Sequence, residues 1–261
     1  LFIFKRLHCK KQNNCYSNAK ICSGKFNLHF DSNCPTMVSV DVNCDMGEGF
    51  GPWPMGHDAA LMQYITSANI ACGFHAGDPA IMRETVRLAL KHHVAIGAHP
   101  GFPDLQGFGR REINMSPEDV FVMVLYQVGA LQAIAKAEGG TVHHVKPHGA
   151  LYNMAARDRK LADAIARATQ QSGTELVLYG LSGSALIEAG NAIGLRTASE
   201  VFADRTYRDD GSLTPRNQIN ALIEDTGQAV AQAFQMVQKQ SVISTTGRRV
   251  DLVSETLCLH G

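Results

Sequence analysis

The chain has 261 residues, 45% of them hydrophobic, with 24 basic and 24 acidic side chains, enough to bury one sizeable core and in the range of roughly 200 to 250 residues in which α/β barrels form a single domain. The zero net charge hides an asymmetry: residues 1–36 hold six Lys/Arg against the single acid Asp31, and the rest hold 18 basic and 23 acidic residues. A mildly acidic body has no basic stripe for a phosphate backbone, and no apolar run approaches the roughly 18 residues of a membrane span, so neither nucleic acid nor a membrane is an expected partner.

Residues 1–36 show neither a helical nor an alternating period, and Lys5 and Arg6 interrupt the opening apolar run where a secretory core would continue. The segment reads as a leader outside the folded domain, disordered or not native, with an organelle transit peptide as the alternative and Met37 as the natural start. A cytoplasmic location is expected. Cys9, Cys15, Cys22 and Cys34 fall in this segment without zinc-type spacing, and Cys44, Cys72 and Cys258 sit in apolar runs, so all seven cysteines read as unpaired thiols.

From Met37 onward, short β-rich segments alternate with longer helical ones. Strands are expected near 38–45, 68–72, 94–98, 141–146, 175–180, 195–201 and 252–259. Helices are expected at 58–67, 79–92, 117–138, 158–171, 183–192 and 217–239 with a break. The third opens on Ser116-Pro117-Glu118-Asp119, which supplies an N-cap, a proline at the first helical position and acids in the first turn. Strict β/α alternation implies a parallel sheet covered by helices, and periodicity leaves a closed barrel and an open doubly wound sheet equally possible.

Polar residues gather at the C-terminal end of every strand: Asp45 and Glu48, His75 and Asp78, His99 and Asp104, Lys146 and His148, Ser182 and Ser184, then Glu200, Asp204 and Arg205, and finally His260. In parallel α/β folds these ends converge on one face, so an enzyme is expected in preference to a scaffold. A lone histidine among them is more often a hydrogen-bonded structural group. The glycine-containing loops GEGFG, GFHAGD and GFPDLQGFGRR allow close backbone approach to a ligand, and Arg110 with Arg111 suits a carboxylate or phosphate, although tight turns explain the glycines as well. No GxxxxGK[ST], GxSxG or HExxH occurs, and Ser184 reads as a helix start. Asp45, His75, His99 and His148 are candidate ligands of a divalent metal, with metal-free acid/base use as the alternative.

The segments DVNCDMGEGFG, ITSANIACGFHAGDP, GAHPGFPDLQGFGRR, QVGAL, HVKPHGALYN, EVFADRTYRDDGSLTPR and LCLHG resemble, in order, the signature blocks of the LamB/YcsF family across residues 37–261. The resemblance implies a deformed seven-stranded parallel (β/α) barrel of the glycoside hydrolase/deacetylase type. It also implies service as the A component of a three-subunit enzyme, with B and C partners, that opens 5-oxo-L-proline to L-glutamate while hydrolysing ATP, with Mg²⁺ beside the nucleotide. The alternatives are a metal-dependent deacetylase or amidohydrolase acting alone and a non-catalytic regulatory subunit. The leader has no family counterpart, and relatives continue beyond His260-Gly261, so a truncated C-terminus with a bare barrel face is expected. On this reading Asp45 or Glu48 activates water, His75, His99 or His148 protonates the ring nitrogen, and Lys146 with Arg110 or Arg205 holds anionic oxygens; Asn43, Glu200, Asp204 and His260 complete the expected binding set.

Overall fold

A computed structural model describes residues 39–259 throughout and, before them, the backbone of two strands, β1 (Ala19–Cys22) and β2 (Lys25–Leu28). The remainder of the leader, with Cys9, Cys15, Cys34 and Met37, and the terminal His260 and Gly261 lie outside the described residues. β1 pairs antiparallel with β2, which pairs antiparallel with β3 (Ser39–Met46). Strand structure therefore enters a segment in which the sequence shows no period.

Six further strands run parallel to β3: β4 (Ser67–Ala71), β5 (Ala95–His99), β6 (Val142–Val145), β7 (Val177–Leu181), β8 (Arg196–Phe202) and, after a separate hairpin of β9 (Ser241–Ile243) and β10 (Arg249–Asp251), β11 (Thr256–Cys258). Both β4 and β11 pair with β3, so the sheet closes on itself as a seven-stranded barrel, and the open sheet that periodicity allowed is excluded.

The alternation in β3 explains which way the barrel faces. Val40, Val42, Cys44 and Met46 are buried outward beneath the helical layer. Asp41, Asn43 and Asp45, spaced by two, point inward and bond to side chains from other strands. The interior is thus a hydrogen-bonded polar column. Asp41 at its base accepts from Ser67, Tyr179 and Thr256, and above it Asn69 links Asn43, Asp45 and His144. Gly97 makes room for this column, since a Cβ there would lie 1.9 Å from His144 Nε2.

The outer layer comprises α1 (Asp58–Leu61), α2 (Pro79–Lys91), α3 (Pro117–Ala137), α4 (Gly149–Ala155), α5 (Arg159–Ser172), α6 (Ala185–Ala192) and α7 (Thr226–Lys239). Ser116 caps α3 through Asp119 N at 3.1 Å, as its sequence implies. Three expectations need correction. The first helix is a short α1 followed by a single 3₁₀ turn at Met62–Tyr64. The last begins at Thr226, because residues 217–225 form a loop in which Asn220 is left-handed and Ile219 is 90% exposed. In addition, α3 is long and apolar enough to cross a membrane by length and composition, contrary to the expectation that no run is. Within the fold its face of Val120, Met123, Val124, Gln127, Val128, Leu131 and Ala135 is buried, and the helix packs on α2, α5 and the barrel strands.

Candidate active site

The upper end of the polar column is built around Lys146, which follows β6 and is 3% exposed. Its Nζ lies 2.7 Å from Glu200 Oε1, 3.1 Å from Asp45 Oδ1, 3.1 Å from Asn43 Oδ1 and 3.2 Å from Cys258 Sγ. Burial alone would depress this ammonium, but the carboxylates of Asp45 and Glu200 outweigh it and hold the pKa well above the usual lysine range. Tyr152, on α4, donates from Oη to the other oxygen of Glu200 at 2.7 Å. Burial, followed by the charge of Glu200, keeps the Tyr152 phenol protonated far above its ordinary range.

Beside Asp45 stands a cluster of three histidines. His99, at the end of β5, donates from Nδ1 to the Lys146 carbonyl at 2.7 Å, and its Nε2 lies 3.3 Å from Asp45 Oδ2 and 3.0 Å from His148 Nδ1. His148 donates from Nε2 to the Phe108 carbonyl at 2.8 Å. His75 is 1% exposed and stacks on His148 with ring centroids 3.7 Å apart. Glu48 Oε1 is 3.6 Å from both His75 Nε2 and His148 Nδ1. Burial lowers the pKa of His75 and of His148 well below the ordinary range, and neighbouring histidines lower it further. Glu48, His75, His99 and His148 are the described residues whose ligand atoms converge enough to hold a metal ion; Glu48 takes the place that the sequence suggested for Asp45, which is engaged by Lys146.

The loop between β5 and α3 holds this cluster in register. Asp104 is buried and accepts from Gly107 N at 2.9 Å and from Arg111. Phe108 and Gly109 adopt left-handed conformations, which turn the Phe108 carbonyl onto His148. Gly109 also needs its missing side chain, because a Cβ there would meet His75 Cβ at 2.7 Å and His148 Cδ2 at 2.8 Å. Asp78, a site candidate in the sequence, instead caps α2 through Ala80 N and Ile81 N. Ser184 occupies the N-cap position of α6, as its helix-start reading implied.

A cleft of about 730 Å³ opens over this floor. Asp45, Glu48, His99, Arg110, Lys146, His148, Ser182, Ser184 and Arg205 line it, and so do Tyr152, Arg208 and Arg216, which the sequence reading did not single out. Asn43 and Glu200 lie fully buried beneath it, His75 lies behind His148, and Asp204 is half-buried. Arg205 is largely committed to the fold, donating to the carbonyls of Ala221 and Thr214. Burial, then the charge of Arg216, pushes its pKa down to about 10, and the same two causes lower that of Arg110. Three guanidinium groups therefore crowd one mouth, an arrangement suited to a carboxylate or phosphate. The arginines of RTYRDDGSLTPR were the available signal; Tyr152 was hidden in a helix that the sequence reading missed. Cys44, Cys72 and Cys258 are free and buried, in keeping with the expected thiols.

Proteins of similar sequence and shape are known. The chain is 59% identical over 226 residues to the 5-oxoprolinase A subunit of Clostridium kluyveri, covering 86% of this chain and 89% of the relative. It is 60% identical over 225 residues to the protein of the same name from Geobacillus kaustophilus, covering 86% and 88%. The crystal structure of a lactam utilization protein from Thermus thermophilus superposes with a TM-score of 0.81 at 48% identity, covering 85% of this chain and 90% of that one. The LamB/YcsF family model matches residues 40–261, and the chain belongs to the LamB/YcsF family.

Proposed function

We propose that this chain is the A subunit of an ATP-dependent 5-oxoprolinase that converts 5-oxo-L-proline to L-glutamate together with B and C subunits in the cytoplasm. The observation that carries this reading is the buried Lys146, pinned between Asp45 and Glu200 under an arginine-rimmed cleft, in a chain whose relatives at 59% and 60% identity bear that name.

A five-membered lactam resists water because its amide is resonance-stabilised and its amine leaves poorly. Transfer of the ATP γ-phosphoryl group to the lactam oxygen removes that resonance. Water then adds at the carbon, the C–N bond breaks with a proton delivered to nitrogen, and the resulting acyl phosphate releases phosphate to a second water. Asp45 lines the cleft and suits the role of base toward water. The proton that Asp45 takes from water suits delivery to the ring nitrogen, and Lys146, whose ammonium touches Asp45 and also lines the cleft, suits holding the anionic oxygens of substrate or phosphoryl group. The ring N–H groups of His99 and His148 are already given to backbone carbonyls, so neutral histidines here are poor proton donors to a substrate. Arg110 and Arg216 suit the substrate carboxylate or the phosphoryl oxygens, and Mg²⁺ would accompany the nucleotide.

Mixing the purified chain with B and C subunits and measuring glutamate and phosphate formed from 5-oxoproline and ATP tests the proposal. Formation of both in equal amounts only when all three are present supports it. Robust ATP-independent lactam or amide hydrolysis by this chain alone would favour the second reading, a self-sufficient amidohydrolase, to which the histidine cluster gives its support.

A further inference from the structure

We propose that Glu48, His75, His99 and His148 form a binding site for one divalent transition-metal ion of the zinc class, independent of which substrate the cleft takes. The argument begins with protons. A backbone carbonyl only accepts, so the Lys146 carbonyl at 2.7 Å places the ring proton of His99 on Nδ1, and the Phe108 carbonyl at 2.8 Å places that of His148 on Nε2. The remaining nitrogens, His99 Nε2 and His148 Nδ1, lie 3.0 Å apart. Between two neutral rings that is a hydrogen-bond distance with no hydrogen to occupy it: two lone pairs face each other. A cation placed between them turns this repulsion into attraction.

The other two groups lie beside the same spot. His75 is buried, its ring nitrogens make no hydrogen bond among the described residues, and its Nε2 is 3.6 Å from Glu48 Oε1. Glu48 Oε1 is also 3.6 Å from His148 Nδ1, and all four ligand atoms lie within 4.8 Å of one another. Ligands held 2.0 to 2.1 Å from a tetrahedral ion are separated by about 3.4 Å, so the three short separations are of the right size, and His75, now stacked parallel on His148 with centroids 3.7 Å apart, must tilt out of that stack for its in-plane lone pair to meet the ion. Three imidazoles and one carboxylate suit zinc and its first-row neighbours far better than magnesium, which demands oxygen ligands.

The surroundings are those of a built site. Two of the three rings give their second N–H to a backbone carbonyl, the outer-shell partner that fixes tautomer and ring direction in metal-binding histidines. A Cβ at Gly101 would lie 2.6 Å from His75 Nδ1, so only glycine leaves room for that ring. The competing occupant is a proton, with His99 carried as an imidazolium that donates to His148 and Asp45.

The full chain, stripped with chelator and dialysed, should take up one Zn²⁺ per chain by elemental analysis. Substitution by Co²⁺ should give the intense visible bands of a four-coordinate nitrogen-containing site, and Mg²⁺ should not compete. Affinity for Zn²⁺ should fall by roughly 100-fold or more in Glu48→Gln and in His75→Ala, in keeping with even outer-shell changes costing about 10- to 100-fold. Circular dichroism checks that each variant is folded; if either is not, the Co²⁺ spectrum of the unsubstituted chain decides alone. Absence of retained zinc together with no four-coordinate Co²⁺ spectrum overturns the proposal. So does equal Zn²⁺ affinity in the parent and folded variants, or an imidazole ¹⁵N spectrum in which His99 stays doubly protonated throughout a zinc titration.

Discussion

Lys146 Nζ and Glu200 Oε1 meet at 2.7 Å inside the barrel, on side chains that are 3% and 0% exposed. Removing one partner of such a buried pair typically costs about 3–5 kcal/mol, because the other charge is left uncompensated, whereas replacing both can be nearly neutral. Lys146→Met should therefore lower the urea midpoint sharply and abolish turnover in the reconstituted enzyme. Lys146→Met combined with Glu200→Gln should recover part of the stability, since Asp45 still lacks its cation, and none of the activity. Recovery of turnover in the double variant would refute a chemical role for Lys146.

Gly97 and His144 supply a second paired test. A methyl at Gly97 would overlap the His144 ring, which is stacked on Tyr179 with centroids 4.3 Å apart and bonded to Asn69 at 2.8 Å. Gly97→Ala should destabilise by about 1–3 kcal/mol, as overpacking does. Adding His144→Ala should relieve part of that loss, measured by chemical unfolding. Costs that simply add in the double variant would show that the two positions do not compete for space.

The barrel strands were legible because their outward faces are apolar and their polar C-terminal ends fall at regular intervals. The inward column was not. Asp41 and Asn69 alternate with apolar neighbours in the same way as a solvent-facing edge does, His144 follows the exposed His143, and alternation cannot tell water from a polar barrel interior. Residues 217–225 carry enough helix formers to extend α7 on paper, yet the left-handed Asn220 and the Ala221 carbonyl given to Arg205 hold them as a loop. α4 escaped notice because it is only seven residues long and starts immediately after His148, on a glycine with positive φ. Of the candidate site residues, Asp45, Glu48, His75, His99, Lys146 and His148 assemble at one place, whereas Asp78 and Asp104 serve a helix cap and a loop.

Asp104 gives the loop a defined acid response. Its hydrogen bond from Arg111 lowers its pKa to about 2, against roughly 3.9 in an unfolded chain. A depressed carboxylate contributes stability that is present above the unfolded value and is lost as pH falls toward the folded one. The parent should thus be more stable than Asp104→Asn above about pH 4, with the difference shrinking as pH falls from there toward about 2. Urea midpoints measured across that range test this, and a gap that stays constant with pH would show that the Asp104 charge contributes nothing.

The arginine mouth makes the last prediction. Burial and then the charge of Arg216 lower the pKa of both Arg110 and Arg205, so three positive groups stand close together at the rim. Crowding of like charge is relieved when an anion binds among them, and a ligand that binds only the folded chain raises stability in proportion to the logarithm of its saturation. Inorganic phosphate at about ten times its dissociation constant should add roughly 1.4 kcal/mol, visible as a higher thermal midpoint than chloride gives at equal ionic strength. Arg205 is tied to the Thr214 and Ala221 carbonyls and should be left in place, because its loss would disturb the loop itself. Arg110, which stacks on Phe108 at 4.9 Å, and Arg216 are the positions to change. Arg110→Gln with Arg216→Gln should remove the phosphate-specific shift and, in the reconstituted enzyme, raise KM for an anionic substrate more than it lowers kcat. An unchanged phosphate shift in that double variant would place the anion elsewhere on the protein.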